Sequence, residues 1–586
     1  MASTGVTDKA DLVVIGSGWN GLCSAKTYHQ CHPQANVIVL DDQPTIGGVW
    51  AEHRLYPGLK TNNMRGNYEF GDFTFQQAGL DVKHGVHILG DEVHEYLKRY
   101  SQHFDIYQHI RFNVKVISAE HLSDSRGWLL STTEKNSHKI KQILTRRLIV
   151  ATGLTSDAFV PQIPGSDTDG APPMVHVKDF QDRSDQLFKS AKRATILGGT
   201  KSAWDASYAF ATAGIPVDWI IRESGHGPVW MSPAFFDKKR DILLERLVHT
   251  RAVSLFSPCA WGNEDNYGWV RRFLHNTRIG RWCVSKYWGY MQHRLVRTNG
   301  YGEHDEVKKL QPWVDIFWIA GSLSILNYKS NFFDLVRSGM IKVHIADISE
   351  LGDHEIHLSN NSIIPSDVLI CSTGWRHRPA IEFLPKGIEF SLGIPTSSSN
   401  PDPQSVAKVD AELMERFPAL RKQPTLNSRY KPMGGVKPSE SLAEPYRLYR
   451  FMVPPTLYEE RSIAFAGIVQ SISTVYIAMA QALWVTAYFD GFKPSLLVAC
   501  KSEEDQKKKI KWDTLLHTQY GKWRCPGGYG SRFPDFVYDG IPYLDLLLRD
   551  LELKNKRKSS LWKELFEPYL TTDYAGLVDE WRIKSA

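Results

Sequence analysis

The chain has 586 residues, a length that holds about two to four domains. Hydrophobic residues make up 42% and charged residues 23%, which excludes a chain disordered throughout and allows a large core. The formal net charge of +6 is too small for this length to indicate nucleic acid by itself, and it suits a protein that holds pyrophosphate groups.

The N-terminal residues carry no basic stretch followed by an apolar one, so no secretory signal is expected. The longest apolar run, Trp313 to Tyr328, contains Asp315 and is too short to span a bilayer. A cytoplasmic protein is the expectation.

In chain order, Leu12 to Ile15 is an apolar strand that ends in Gly16-Ser17-Gly18-Trp19-Asn20-Gly21. In a strand–turn–helix unit, Gly16 permits the tight turn, Gly18 lets backbone approach a pyrophosphate, and Gly21 allows helix and strand to pack closely. The helix amides then face the phosphates. Val37 to Leu40 is the second strand, and Asp41 stands at its end, where an acid can bind ribose hydroxyls. The doublet Gly47-Gly48, before Val49-Trp50, suits backbone lying against a flat ring or a phosphate. A helix is predicted over Glu92 to His103, with Val93, Tyr96, Leu97 and Tyr100 on one face. His84, His87, His94 and His103 lie near it without a carboxylate or cysteine at ligand spacing, so no metal site is expected.

Leu148 to Thr152 is a buried-type strand that closes on Gly153, and Pro161 to Gly165 is a linker of turn formers. Ala194 to Leu197 opens a second strand–glycine–helix unit, and the strand Val217 to Ile221 ends in Arg222. Residues 266–302 hold seven Lys or Arg, no acids, and Trp269, Phe273, Trp282, Trp288 and Tyr290. Three readings compete there: a membrane-surface segment, a nucleic-acid patch, or an aromatic cap over a substrate channel. Val368 to Cys371 and Ile463 to Ala466 are later strands, and from about Pro494 a helical, loop-rich extension follows, with the run Lys507-Lys508-Lys509. The seven cysteines are odd in number, scattered and never spaced C-x-x-C. That argues for free thiols and against both a zinc site and a redox dithiol.

From Asp41 through Gly47-Gly48-Val49-Trp50 the chain resembles the flavin-containing monooxygenases, a class that includes Baeyer–Villiger enzymes and N-hydroxylases. Leu55-Tyr56-Pro57-Gly58-Leu59-Lys60-Thr61-Asn62 resembles that family's next motif, which places its flavin-facing asparagine on Asn62. Ala151-Thr152-Gly153 and Ser372-Thr373-Gly374-Trp375 resemble its two crossings between domains. Ala466 to Gln470 and Gln481 to Trp484 resemble the segment that returns to the flavin. Gly198-Gly199-Thr200-Lys201-Ser202-Ala203 resembles its second glycine turn, with Thr200 where a glycine is usual. The second half of a further family motif fits His176 to Phe180, but Gly170 and Pro172 depart from its first half.

The resemblance implies an α/β fold with two Rossmann-like dinucleotide-binding domains and a C-terminal helical extension. The FAD domain is expected in two segments, 1–165 and 346–493. An NADPH domain is expected at 166–345, with an insert near 230–330, and the extension at 494–586. Gly16, Gly18, Gly21, Asp41, Gly47, Gly48, Trp50, Thr61, Asn62, Thr152, Gly153, Thr373, Gly374 and Gln470 are then FAD-side residues. Gly198, Thr200, Lys201, Ser202 and Arg222 are NADPH-side residues, and a guanidinium at Arg222 suits a 2′-phosphate. The implied activity is oxygenation of a bulky apolar small molecule, a secondary metabolite, with NADPH, O2 and a C4a-(hydro)peroxyflavin. Within the class, Baeyer–Villiger oxidation and N-hydroxylation remain open. Outside it stand a flavin oxidase or dehydrogenase without oxygen transfer, and a nucleotide-binding scaffold.

Overall fold

A computed structural model describes residues 6–585 except 57, 124–126, 136, 138, 319–322, 397–400, 435–443 and 527–532. Pro57 of the Asn62 motif and part of the run Trp313 to Tyr328 lie outside the described residues.

Two sheets carry the architecture. The first runs Glu382–Leu384, Val114–Leu122, Gly127–Glu134, Ile140–Val150, Val6–Ile15, Val37–Leu40 and Ile110–Arg111 in spatial order, with Ile463–Phe465 also pairing Ile140–Val150. Its nucleotide half is parallel, in the register Leu12↔Val37 and Val13↔Leu148. The second sheet is parallel throughout, ordered Met174–His176, Val368–Cys371, Ala194–Leu197, Val217–Ile221 and Ile341–Ile345. Its inner strands Ala194–Leu197 and Val368–Cys371 are largely apolar because helices cover both faces of such sheets, whereas the edge strand Ile341–Ile345 carries Lys342 and His344. Val37–Leu40, Ala194–Leu197 and Val368–Cys371 are buried at every position.

The second sheet corrects the boundary expected at residue 345. Val368–Cys371 lies between Met174–His176 and Ala194–Leu197, so the unit built on this sheet extends to the crossing at Ser372. A sequence reading places a boundary at the end of a strand. A parallel sheet takes back a strand from the far side of a crossover, here after the small sheet Ile348–Gly352, Glu355–Leu358 and Ile363–Pro365.

The C-terminal extension is part of the core. Helix Thr474–Phe489 is apolar all round because it is enclosed on all sides, with only Thr474 escaping burial. It packs on the fingerprint helix Trp19–Cys31 and on helix Gly540–Asp550 of the extension. Trp484 Nε1 donates to Asp550 (3.0 Å) and Gln481 Nε2 to the Tyr543 hydroxyl (3.0 Å). Arg251, 1% exposed, ties the insert to the same region through Asp545 (2.8 Å) and Glu564 (2.7 Å). Removing one partner from such a buried set costs about 3–5 kcal/mol.

Candidate active site

The first glycine turn packs as its spacing requires. A Cβ on Gly16 (φ 110°) would lie 2.5 Å from the Ala151 carbonyl oxygen, and one on Gly21 would lie 1.9 Å from that of Gly16. Gly18 differs: its Cβ would meet nothing closer than the Gly48 Cα at 3.6 Å. The protein alone therefore leaves room for a Cβ at Gly18. The two glycines face each other across a cradle that a Cβ would fill. Thr152, on the adjacent crossing, has its hydroxyl buried with no hydrogen-bond partner among the described residues. A glycine not needed by packing, beside an orphaned hydroxyl, fits a bound dinucleotide.

Asp41 closes this turn from below. Its carboxylate accepts the Ser17 N–H (2.7 Å), the Ser17 hydroxyl (2.6 Å) and the Gln43 N–H (2.9 Å). Burial raises its pKa, against the pull of those donors. A carboxylate has about four lone-pair sites, so room remains for a ribose hydroxyl. Trp50 serves packing: its Nε1 donates to Tyr68 (2.8 Å) under the fingerprint helix. Gly47 is required by the turn, since a Cβ there would lie 2.9 Å from the Trp50 carbonyl.

Asn62 sits on strand Lys60–Met64, which is held on both sides of it. Asn327 Nδ2 donates to the carbonyls of Lys60 and Thr61 (3.3 Å each). Glu245 accepts the Met64 N–H (2.9 Å) and the Asn63 amide (3.1 Å), and Asn63 also donates to the Ile472 carbonyl (2.9 Å). The Thr61 hydroxyl is turned inward, to the Asn63 carbonyl (2.5 Å). Asn62 is half-buried between these anchored neighbours, and no hydrogen bond to the described residues holds its own amide. Burial pushes the Glu245 carboxyl up to about 7, against its N–H donors and Arg246.

The second glycine turn repeats the first at its entry. A Cβ on Gly198 (φ 137°) would lie 2.3 Å from the Ser372 carbonyl oxygen, and the Ser372 hydroxyl, like that of Thr152, is buried without a partner. Thr200 is exposed at the start of helix Lys201–Thr212, and Ser202 is half-buried in its first turn. The cations are engaged. Lys201 pairs with Asp205 and donates to Asn327 Oδ1 (2.9 Å). Arg222 Nε donates to Asp347 (3.1 Å), and its Nη2 to Ser224 Oγ (2.5 Å) and the Lys431 carbonyl (2.6 Å).

The two crossings lie side by side. Trp375–Arg376 pairs antiparallel with Asp157–Ala158, and Thr373 Oγ1 donates to the Phe159 carbonyl (2.5 Å). Gly153 and Gly374 both take positive φ there. His176 is buried against this join, its Nε2 paired with the Gly374 carbonyl (3.1 Å) and its ring edge-on to Trp375. Gln470 is further off in role: its backbone bridges to the extension, accepting from Phe536 N–H (2.8 Å) and donating to Pro534 (2.9 Å).

Three residues at the site escape a linear reading. Glu245 and Asn327 come from the insert, far along the chain, and no spacing rule links them to Asn62. Arg54 lies only a few residues past the glycine doublet. Its guanidinium reaches the carbonyls of Gly48 (3.5 Å) and Thr155 (3.1 Å) and covers the Trp375 ring, and it forms no ion pair with the described residues. Burial lowers its pKa, opposed by the more distant Asp179. A cation without a carboxylate, set where both crossings meet, is suited to an anionic ligand.

Residues 13–237 match the family model described as pyridine nucleotide-disulphide oxidoreductase, which covers both glycine turns. All seven cysteines are free. The closed cyclohexanone monooxygenase structure aligns with a TM-score of 0.56 at 16% identity, over 92% of this chain and 97% of that one. At that identity the likeness speaks for the fold. An FAD-dependent monooxygenase of Pyrenophora dematioidea is 31% identical over 94% of this chain and all of its own length. The FAD-dependent monooxygenase resA of Aspergillus sclerotiorum is also 31% identical, over 97% of this chain and 98% of its own. Identity sustained end to end makes this protein a member of the FAD-dependent monooxygenases.

Proposed function

We propose that the chain holds FAD on its first glycine turn and NADPH on its second, and transfers oxygen from O2 to a bulky, largely apolar small molecule. The observation that carries this reading is the strand of Asn62. It is fixed at 60–61 by Asn327 and at 63–64 by Glu245, both from the insert, and it presents one amide that none of the described residues satisfies.

FAD, when bound and reduced by NADPH, supplies the activation of oxygen. The chain's residues supply the rest. Gly18, Gly48 and the amides of the helix Trp19–Cys31 would hold the pyrophosphate, Asp41 a ribose and Thr152 a further polar atom of the cofactor. Arg222 would meet the 2′-phosphate, and Arg54 would hold negative charge between the two units. The Asn62 amide can donate and accept at once, which suits it to orient a polar group at the reacting centre while the buried surroundings keep water out. The related names include a cyclohexanone monooxygenase and an S-allyl-L-cysteine S-oxygenase, so carbon and sulfur acceptors both belong in the substrate screen.

The test is incubation with candidate metabolites, NADPH and ¹⁸O2, comparing the wild type with Asn62→Ala. Substrate-dependent ¹⁸O in the product is expected of the wild type. The variant is expected to bind FAD and consume NADPH while releasing hydrogen peroxide in place of product. Normal coupling in Asn62→Ala would remove Asn62 from the mechanism, and NADPH oxidation without ¹⁸O incorporation for any substrate would indicate an oxidase.

A further inference from the structure

The basic, aromatic stretch at 266–302 is not absorbed by the site. The structure divides its aromatic residues into two sets. In helix Arg278–Asn299, Gly280, Val284, Trp288 and Leu295 form one buried stripe on the second domain's core, with Trp288 Nε1 donating to the Phe256 carbonyl (2.9 Å). The other set faces outward. Trp269 is 69% exposed, Phe273 48%, Ile279 68% and Trp282 61%. Trp269 and Phe273 are one turn apart on helix Gly268–Asn276, and Ile279 and Trp282 are one turn apart at the start of the next helix. The two helices meet closely at Gly280, where a Cβ would lie 2.0 Å from the Phe273 carbonyl oxygen.

Four large apolar side chains in water at one helical corner are costly unless something covers them. The charges say what does. Arg272, Arg278 and Lys286 are exposed on the same two helices and form no ion pair with the described residues. The segment's buried cation Arg271 already has its partner in Asp265 (2.6 Å). An apolar corner ringed by unpaired cations is the pattern of an interfacial helix pair, whose aromatic residues enter the headgroup region while the cations meet lipid phosphates.

We propose that this corner docks the protein on an anionic phospholipid surface. A second copy of the chain is a poor occupant, because a two-fold contact would set this acid-free segment against itself. Nucleic acid would satisfy the cations but leaves Ile279 without a base to stack on.

The experiment is co-sedimentation of the FAD-loaded full chain with vesicles of phosphatidylcholine alone or with phosphatidylglycerol added. Binding is expected to the anionic vesicles and to weaken with salt. Trp269→Ser with Trp282→Ser should lower partitioning by about tenfold or more. Arg272→Glu, Arg278→Glu and Lys286→Glu together should lower it on the order of a hundredfold. All these side chains are exposed, so flavin content and melting temperature should stay those of the wild type. The idea is overturned if anionic vesicles are not bound, or if either variant set binds them as the wild type does. It is also overturned if light scattering shows a dimer that the tryptophan substitutions dissociate, or if a DNA duplex displaces the protein from vesicles at equal phosphate concentration.

Discussion

The two glycine turns begin alike and end differently. In both, the first glycine packs on the carbonyl of a crossing strand, and that crossing carries a buried hydroxyl without a partner among the described residues, Thr152 in one and Ser372 in the other. The first turn then keeps Gly18 open against Gly48. The second substitutes Thr200 and commits its cations within the protein, Lys201 to Asp205 and Arg222 to Asp347. The first unit is thus shaped to hold a ligand as it stands. If the second holds NADPH as proposed, its internal ion pairs would be exchanged for contacts with that ligand, which favours a cofactor that comes and goes.

The largest effect should come from filling the first cradle. Gly18→Val is expected to yield folded but colourless protein, because a Cβ there meets nothing closer than the Gly48 Cα at 3.6 Å yet would stand in the proposed cofactor's place. Gly21→Val should fail to fold, since there the clash is with the Gly16 carbonyl at 1.9 Å. Flavin absorbance per chain and circular dichroism separate the two outcomes. Full flavin occupancy in Gly18→Val would break the comparison at its root.

Next is the anchor of the Asn62 strand. The Glu245 carboxyl titrates at about 7 in the fold against 4.5 in the free residue. Between those values the folded state binds the extra proton, so stability falls as pH rises through the window, by about 3 kcal/mol in all. Glu245→Gln cannot ionise, so the drop in melting temperature from pH 5 to pH 7.5 should be smaller in the variant than in the wild type. Equal drops would mean that Glu245 ionises as an exposed acid does.

Arg222→Ala is expected to cost roughly ten- to a hundredfold in NADPH affinity, equivalent to about 1.5–3 kcal/mol for a charge-assisted contact, with NADH nearly unaffected. Loss of both cofactors alike would make the arginine structural. The smallest change sharpens the same point: Asp347→Asn removes the competing carboxylate and should raise NADPH affinity a few-fold. Titration of nicotinamide binding by fluorescence reads both variants, and weaker NADPH binding in Asp347→Asn would show that the pair is needed intact.

Local signals in the sequence were reliable where one element determines them. The strands Val37–Leu40, Ala194–Leu197, Val217–Ile221 and Val368–Cys371 have the predicted bounds, because a short, mainly apolar run between polar or turn-forming residues marks a buried parallel strand. The helix predicted from Glu92 starts two residues earlier, at Gly90. Composition could not sort the tryptophans of 266–302, since Trp288 and Trp282 share one helix and differ only in which side of it they occupy. Nor could it find Glu245, Asn327 or Arg54, whose roles depend on contacts between distant segments. The final domain boundary was hidden for the same reason, as sheet order is a property of the assembled chain.

The enclosure of helix Thr474–Phe489 bears on when the cofactor can be acquired. The fingerprint helix Trp19–Cys31 rests on it, helix Leu577–Ser585 packs against both, and the Phe492 and Trp581 rings close the gap. The helix of the first glycine turn is therefore backed by segments that are synthesised much later than it is. FAD uptake becomes a late event in biogenesis, and nascent chains arrested before Leu577 are expected to retain flavin poorly.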